Sequence, residues 1–164
     1  MNINQKFFDK VDPVLIKLRK KFGEDFVVFG SAPLYLMGVL EFKEDFNDLD
    51  IAVKDISPII KEAKQVCFGG DPNQKLYKIN IQGINVDIGS AWPGEEKVFE
   101  KLLENPIVVK DFKFVNLDNC QAWKEDMVKK YNREKDKLHL QKIKEYNREN
   151  QVKRFAKILE ENNI

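Results

Sequence analysis

The sequence predicts an α+β domain: a small mixed, partly antiparallel sheet with helices packed on one face and a C-terminal helical tail. Three observations carry that expectation. Short apolar runs, Phe26-Val27-Val28-Phe29 and Leu49-Asp50-Ile51-Ala52-Val53, have the length of buried strands. The alternating segments 76–81 and 84–88 are separated only by Gln82-Gly83, the signature of a tight hairpin. From Asp118 onward, Trp123, Met127 and Tyr131 recur at four-residue steps, which is helical spacing. A chain of 164 residues suits one structural domain. Residues 1–117 are expected to form its core and residues 118–164 a helical extension packed on that core.

Taken in chain order, the elements follow from local chemistry. Phe8, Val11, Leu15, Leu18 and Phe22 recur at three- and four-residue steps, so an amphipathic helix comes first and Gly23 stops it. The run 26–29 ends at Gly30, after which Ser31 caps a helix with Pro33 in its first turn, ending near Gly38 or Leu40. A polar loop, 41–47, leads into the strand that starts at Asp48. Ser57-Pro58 is expected to open a helix reaching about Val66, followed by a loop over 68–74. The hairpin ends at Trp92-Pro93-Gly94, and 95–103 reads as a short helix with acids at its positive end. Segments 107–109 and 112–115 are strand material, compatible with one bulged strand. Asp118 is the expected cap of the next helix. Further helices are expected over 135–146 and, through Val152, Phe155, Ala156 and Leu159, beyond it.

Composition narrows the functional classes. With 43% apolar and 34% charged residues, the chain reads as a soluble globular protein. No stretch approaches bilayer-spanning length and no charged-then-apolar leader opens the chain, so a cytoplasmic location without membrane contact is expected. Cys67 and Cys120 stand far apart and near no histidine pair, so both read as reduced packing residues. Net charge is +1, yet residues 121–164 carry +4 and residues 1–120 carry −3. A mildly basic tail beside an acidic sheet suits a polyanionic substrate, although a solvated Lys/Glu-rich helix has the same composition.

The chemistry concentrates in Asp48-Leu49-Asp50. In a strand these two carboxylates point to one face, and their mutual repulsion calls for a cation between them. Asp87 lies opposite Ile84, Val86 and Ile88 in phase, as Asp48 and Asp50 lie opposite Leu49, Ile51 and Val53. All three acids can therefore share the open face of one sheet. Gly30 permits close ligand approach to the backbone, and the turn it makes with Ser31 is suited to an anion such as phosphate. No glycine-rich dinucleotide fingerprint or Walker-type loop is present. A calcium loop fails, because Ala52 stands where an oxygen ligand belongs and the central glycine is missing.

Gly30-Ser31, Asp48-Leu49-Asp50 and Asp87, followed by Lys124 and Arg133-Glu134-Lys135-Asp136, resemble the nucleotidyltransferase superfamily related to DNA polymerase beta. The Lys124 and Arg133-Glu134-Lys135-Asp136 stretch is similar to that of small bacterial members, including antibiotic-modifying and toxin-type enzymes, and the resemblance as a whole runs from about residue 25 to 143. The chain departs from that pattern at His139, where many such members carry an acid. The resemblance implies that Asp48 and Asp50 hold one or two Mg²⁺ ions, and that Asp87 completes a second metal site or acts as general base. It implies that Gly30 and Ser31 cradle the triphosphate, and that Lys124, Arg133 and Lys135 neutralise phosphate or grip the acceptor. Asp136 is expected to pair with a neighbouring base. The implied reaction moves a nucleoside monophosphate from a nucleoside triphosphate, ATP among the candidates, onto an acceptor hydroxyl with release of pyrophosphate. The acceptor, a small molecule, a tRNA end or a protein side chain, stays open. The alternative is a non-catalytic nucleotide- or protein-binding relative, acting as a regulator or toxin–antitoxin component. Trp92, Trp123 and Tyr131 fit either core packing or a pocket wall, and His139, the only histidine, fits packing or solvation.

Overall fold

Alternation along each strand decides which side chains are buried and which face open space. The computed structural model describes residues 3–90, 92 and 94–161. Among these, seven strands form one sheet: β1 (Phe26–Phe29), β2 (Asp48–Val53), β3 (Lys64–Cys67), β4 (Lys75–Ile81), β5 (Ile84–Ser90), β6 (Ile107–Val109) and β7 (Phe112–Phe114). Their order is β3-β4-β5-β2-β1-β7-β6. The β2–β5 and β1–β7 pairs are parallel, and the other neighbours are antiparallel. Five helices accompany them: α1 (Gln5–Phe22), α2 (Ala32–Leu36), α3 (Glu96–Leu102), α4 (Leu117–Tyr131) and α5 (Glu134–Glu161). The protein is thus an α+β fold with a mixed sheet and a long C-terminal helix.

The two sheet faces differ. On one, Leu49, Ile51 and Val53 of β2 and Val86 and Ile88 of β5 pack with Phe8, Val11, Leu15 and Leu18 of α1. Each of these side chains is buried, contributing roughly 1.5–3 kcal/mol when removed from water. On the other face, Val27, Phe29 and Ala52 pack with Trp92, Phe99, Leu102, Cys120 and Ile143. The layer formed by α1 is therefore joined by a second layer, built from α3, α4 and the first part of α5. Gly89 makes room for it: a Cβ there would overlap the Trp92 ring. Trp92 covers the Ala52–Gly89 end of this face, and the cleft opens at the end where β2 begins.

The hairpin forms as expected, with Gln82 and Gly83 both at positive φ (54° and 83°) and Ile81 opposite Ile84. Several expectations need correction. The helix expected over 57–66 is only a 3₁₀ turn at Ser57–Ile59, because residues 64–67 are drawn into the sheet as β3 against β4. The helix after Gly30 is shorter than expected, ending at Leu36. Segments 107–109 and 112–114 are two strands of a hairpin, turned by Lys110 and Asp111 at φ 46° and 69°. Asn116, rather than Asp118, caps α4, its side chain accepting from the Asn119 N–H at 2.9 Å. The two helices expected after residue 134 are one, since no glycine or proline interrupts 134–161. Pro93, expected to help end the hairpin, lies outside the described residues. No helix among the described residues is long and apolar enough to cross a membrane.

Candidate functional site

The bend after β1 is the first part of the site. Phe29 sits opposite Asp50 in the β1–β2 register, so the chain must turn directly beside that carboxylate. Gly30 makes the turn at φ 72°, and a Cβ on it would overlap Asp50 Oδ2. Two independent constraints therefore require glycine here. The Cys120 thiol, from α4, donates to the Gly30 carbonyl at 3.4 Å and ties the bend to the helix behind it. Ser31 occupies the cap position of α2 but makes no capping hydrogen bond, and its buried side chain lines the cleft. Gly30→Ala is expected to destabilise the fold by about 2 kcal/mol. It should also displace the Asp50 carboxylate, read as weaker divalent-cation uptake by the purified variant.

The acids come next. Asp48 lies opposite Asn85 and Asp50 opposite Asp87 along the parallel β2–β5 pair, so the three aspartates share one face. Burial is the largest influence on Asp50, and together with the neighbouring Asp48 charge it pushes the carboxyl up to about 7. Lys124 and Lys135 pull in the opposite direction, and Asp87 adds to the rise. Asp87 is held by Lys78, whose ammonium donates to both carboxylate oxygens at 2.9 and 2.7 Å. Lys78 stands directly opposite Asp87 in the β4–β5 register.

Among the described residues, no group of three or more His, Cys, Asp and Glu side chains is arranged to hold a metal ion. The donor set nevertheless suits a hard divalent cation, because it is all-carboxylate and its central member is crowded by like charge. Gly30 leaves Asp50 Oδ2 a cradle that any side chain would fill. Asp48 and Asp50 are the carboxylates that would hold such an ion, whereas Asp87 has its oxygens turned to Lys78.

The opposite wall comes from α4 and the start of α5. Lys124 is buried and pairs with fully buried Asp136 at 2.8 Å, and Arg133 Nε approaches the other Asp136 oxygen at 3.2 Å. Asp136 thus finds the basic partners expected of it. The Arg133 guanidinium also lies over the Phe68 ring, 5.9 Å from its centroid, and Phe68 meets Tyr131 edge-on at 5.3 Å. Lys130 bridges Glu95 at 2.6 Å and Asp126 at 2.7 Å. Trp92 and Trp123 stack at 5.2 Å; they serve both as core and as cleft lining. The cleft encloses about 880 Å³, its open mouth included.

All eight residues singled out by sequence, Gly30, Ser31, Asp48, Asp50, Asp87, Lys124, Arg133 and Lys135, line this one cleft. His139 does not. It is buried on α5, with Nδ1 lacking a hydrogen-bond partner among the described residues. Burial first, then the charges of Lys124 and Lys135, push its pKa down to about 4, so it is a neutral packing group near pH 7. Both cysteines are free, Cys67 exposed and Cys120 buried, and burial pushes the Cys120 thiol up to about 12.

Sequence reasoning overlooked Lys78, Lys130, Glu95 and the Cys120 contact to Gly30. Lys78 had a usable signal: counting outward from the two-residue turn Gln82-Gly83 pairs 78 with 87. The Lys130–Glu95 pair and the Cys120 contact join distant segments and had none. No protein-family model, curated protein or solved structure matches this chain.

Proposed function

We propose that this cleft is the active site of a metal-dependent nucleotidyltransferase, which moves a nucleoside monophosphate from a nucleoside triphosphate onto an acceptor hydroxyl. The observation that carries this reading is the placement of Asp48, Asp50 and Asp87 on one sheet face beside the Gly30 bend, inside one cleft. In the reaction, the acceptor oxygen bonds to the α-phosphorus, the bond from that phosphorus to the bridging oxygen breaks, and pyrophosphate leaves. A divalent cation such as Mg²⁺, when bound, neutralises phosphate charge and orients the in-line displacement. Asp48 and Asp50 would hold it. Asp87 would complete the set or take the proton of the acceptor hydroxyl. The Ser31 hydroxyl and nearby backbone N–H groups would position the phosphates, with Lys135 and Arg133 supplying positive charge at the rim. Lys124 acts on Asp50 through its field, since its ammonium is paired with Asp136. A cytoplasmic location, where triphosphates are abundant, accords with this reading. The acceptor is a small molecule, a tRNA end or a protein side chain.

One observation favours a second reading, a non-catalytic nucleotide- or protein-binding relative: Asp87 is engaged by Lys78, and no three-acid metal group stands ready among the described residues. Thermal unfolding with ATP, GTP, CTP and UTP, each with and without Mg²⁺, separates the two. The enzymatic reading expects at least one triphosphate to raise the melting temperature by several degrees only when Mg²⁺ is present. Stabilisation that ignores the metal, or none with any triphosphate, would favour the binding module.

A further inference from the structure

We infer that Lys78 is a built-in counter-cation of the acidic site, holding Asp87 in the cation-free protein and giving it up when a divalent ion arrives. This rests on the nucleotidyltransferase reading of the cleft and deepens it, because it names what controls metal entry. Hairpin geometry imposes the placement: Lys78 and Asp87 are directly opposed on adjacent antiparallel strands, and directly opposed residues point to the same face. The contact uses both carboxylate oxygens, at 2.9 and 2.7 Å, so a metal at Asp87 would have to share oxygens that a cation already holds. Asp50 is its neighbour across the β2–β5 pair. Two cations at the same carboxylate repel, so Lys78 and an incoming metal compete for Asp87.

The burial of the two partners differs in the way such an exchange needs. The Asp87 side chain is only 14% exposed, whereas that of Lys78 is 46% exposed. The carboxylate stays in place at the edge of the cleft. The lysine, on a flexible stem with its outer part in water, can swing into solvent at little cost. A pair with its lysine this open to water is weak enough to be displaced, and a divalent ion carries twice the charge to the same oxygens. Lys78 thus sets a threshold for metal uptake, and its charge also repels the incoming ion.

Titrating the nucleotide-free full chain with MnCl₂ by calorimetry tests this without relying on activity. Lys78→Gln removes the charge and Lys78→Arg keeps it. The inference expects Lys78→Gln to bind Mn²⁺ about tenfold more tightly than wild type, with Lys78→Arg within about twofold of wild type. In an Asp87→Asn background, Lys78→Gln should lose most of that gain, since the competition is for Asp87. Circular dichroism melts of every variant establish that each is folded under the titration conditions. If wild type binds Mn²⁺ and Lys78→Gln binds it equally or more weakly, the role of Lys78 is overturned while the enzymatic reading stands. Equal tightening by Gln and Arg would also overturn it, because charge would not be the cause. If neither wild type nor Lys78→Gln takes up Mn²⁺, this inference is overturned, and the triphosphate melts decide the nucleotidyltransferase reading separately.

Discussion

Asp50→Asn should reduce nucleotidyl transfer roughly a thousandfold or more and, at the same time, stabilise the metal-free protein at alkaline pH. The first effect follows from the proposed role: the substitution removes the central anionic ligand, and a loss of this size corresponds to about 4 kcal/mol of transition-state stabilisation. The second follows from linkage. Asp50 titrates near 7 in the fold, because burial and Asp48 oppose its charge, against 3.8 when unperturbed. Between those values the folded protein binds the proton and the unfolded chain does not. Stability therefore falls as pH rises through that window, and the penalty is complete above about 7. Asparagine carries no charge and escapes it. The advantage of the variant over wild type should be larger at pH 8 than at pH 5 by about 2 kcal/mol, seen as roughly 5 °C in the melting temperature. Saturating Mg²⁺ should close most of the gap at pH 8 by stabilising wild type alone. Equal melting temperatures of variant and wild type at both pH values would show that Asp50 is not crowded by like charge.

Lys124→Met should cost about 3–5 kcal/mol, the largest stability loss expected of any single change in the cleft. Lys124 and Asp136 are both buried and meet at 2.8 Å, so the substitution strands a fully buried carboxylate with only Arg133 at 3.2 Å to answer it. Chemical denaturation measures the loss directly. The double change Lys124→Met with Asp136→Leu should recover much of it, because what costs so much is the unpaired charge rather than the missing contact. Without the lysine field, Asp50 also loses the largest influence that lowers its pKa, so Mg²⁺ binding should weaken at pH 6 more than at pH 8. A double variant no more stable than Lys124→Met would show that packing, rather than the pair, holds α4 to α5 here.

The elements that could be read directly are those whose signal is local and periodic. The α1 helix shows five apolar residues at helical spacing and a glycine stop, and it runs to Phe22 with Gly23 at φ 63°. The β4–β5 hairpin was legible because its turn fixes register by itself. The phase of Asp48, Asp50 and Asp87 came from the same rule of alternation, and their shared face follows from it. Segment 57–66 reads as a helix because Pro58 does start a helical turn, while the pairing of Lys64–Cys67 with β4 depends on partners eight to fourteen residues away. The cap of α4 was misplaced by two residues because Asn116 and Asp118 are both good caps, and the hydrogen bonds of Asn116 to the carbonyls of Glu104 and Asn105 select it.

Periodicity and turn chemistry, which act over a few residues, were enough to establish an α+β chain whose three aspartates point away from its aliphatic core. Charge pairing across the cleft lay beyond their reach. That Lys124 is committed to Asp136 and that Arg133 leans on Phe68 depend on which helices and loops become neighbours. Coulomb energy and desolvation depend on distance and burial in three dimensions, and neither quantity is written in the order of the residues.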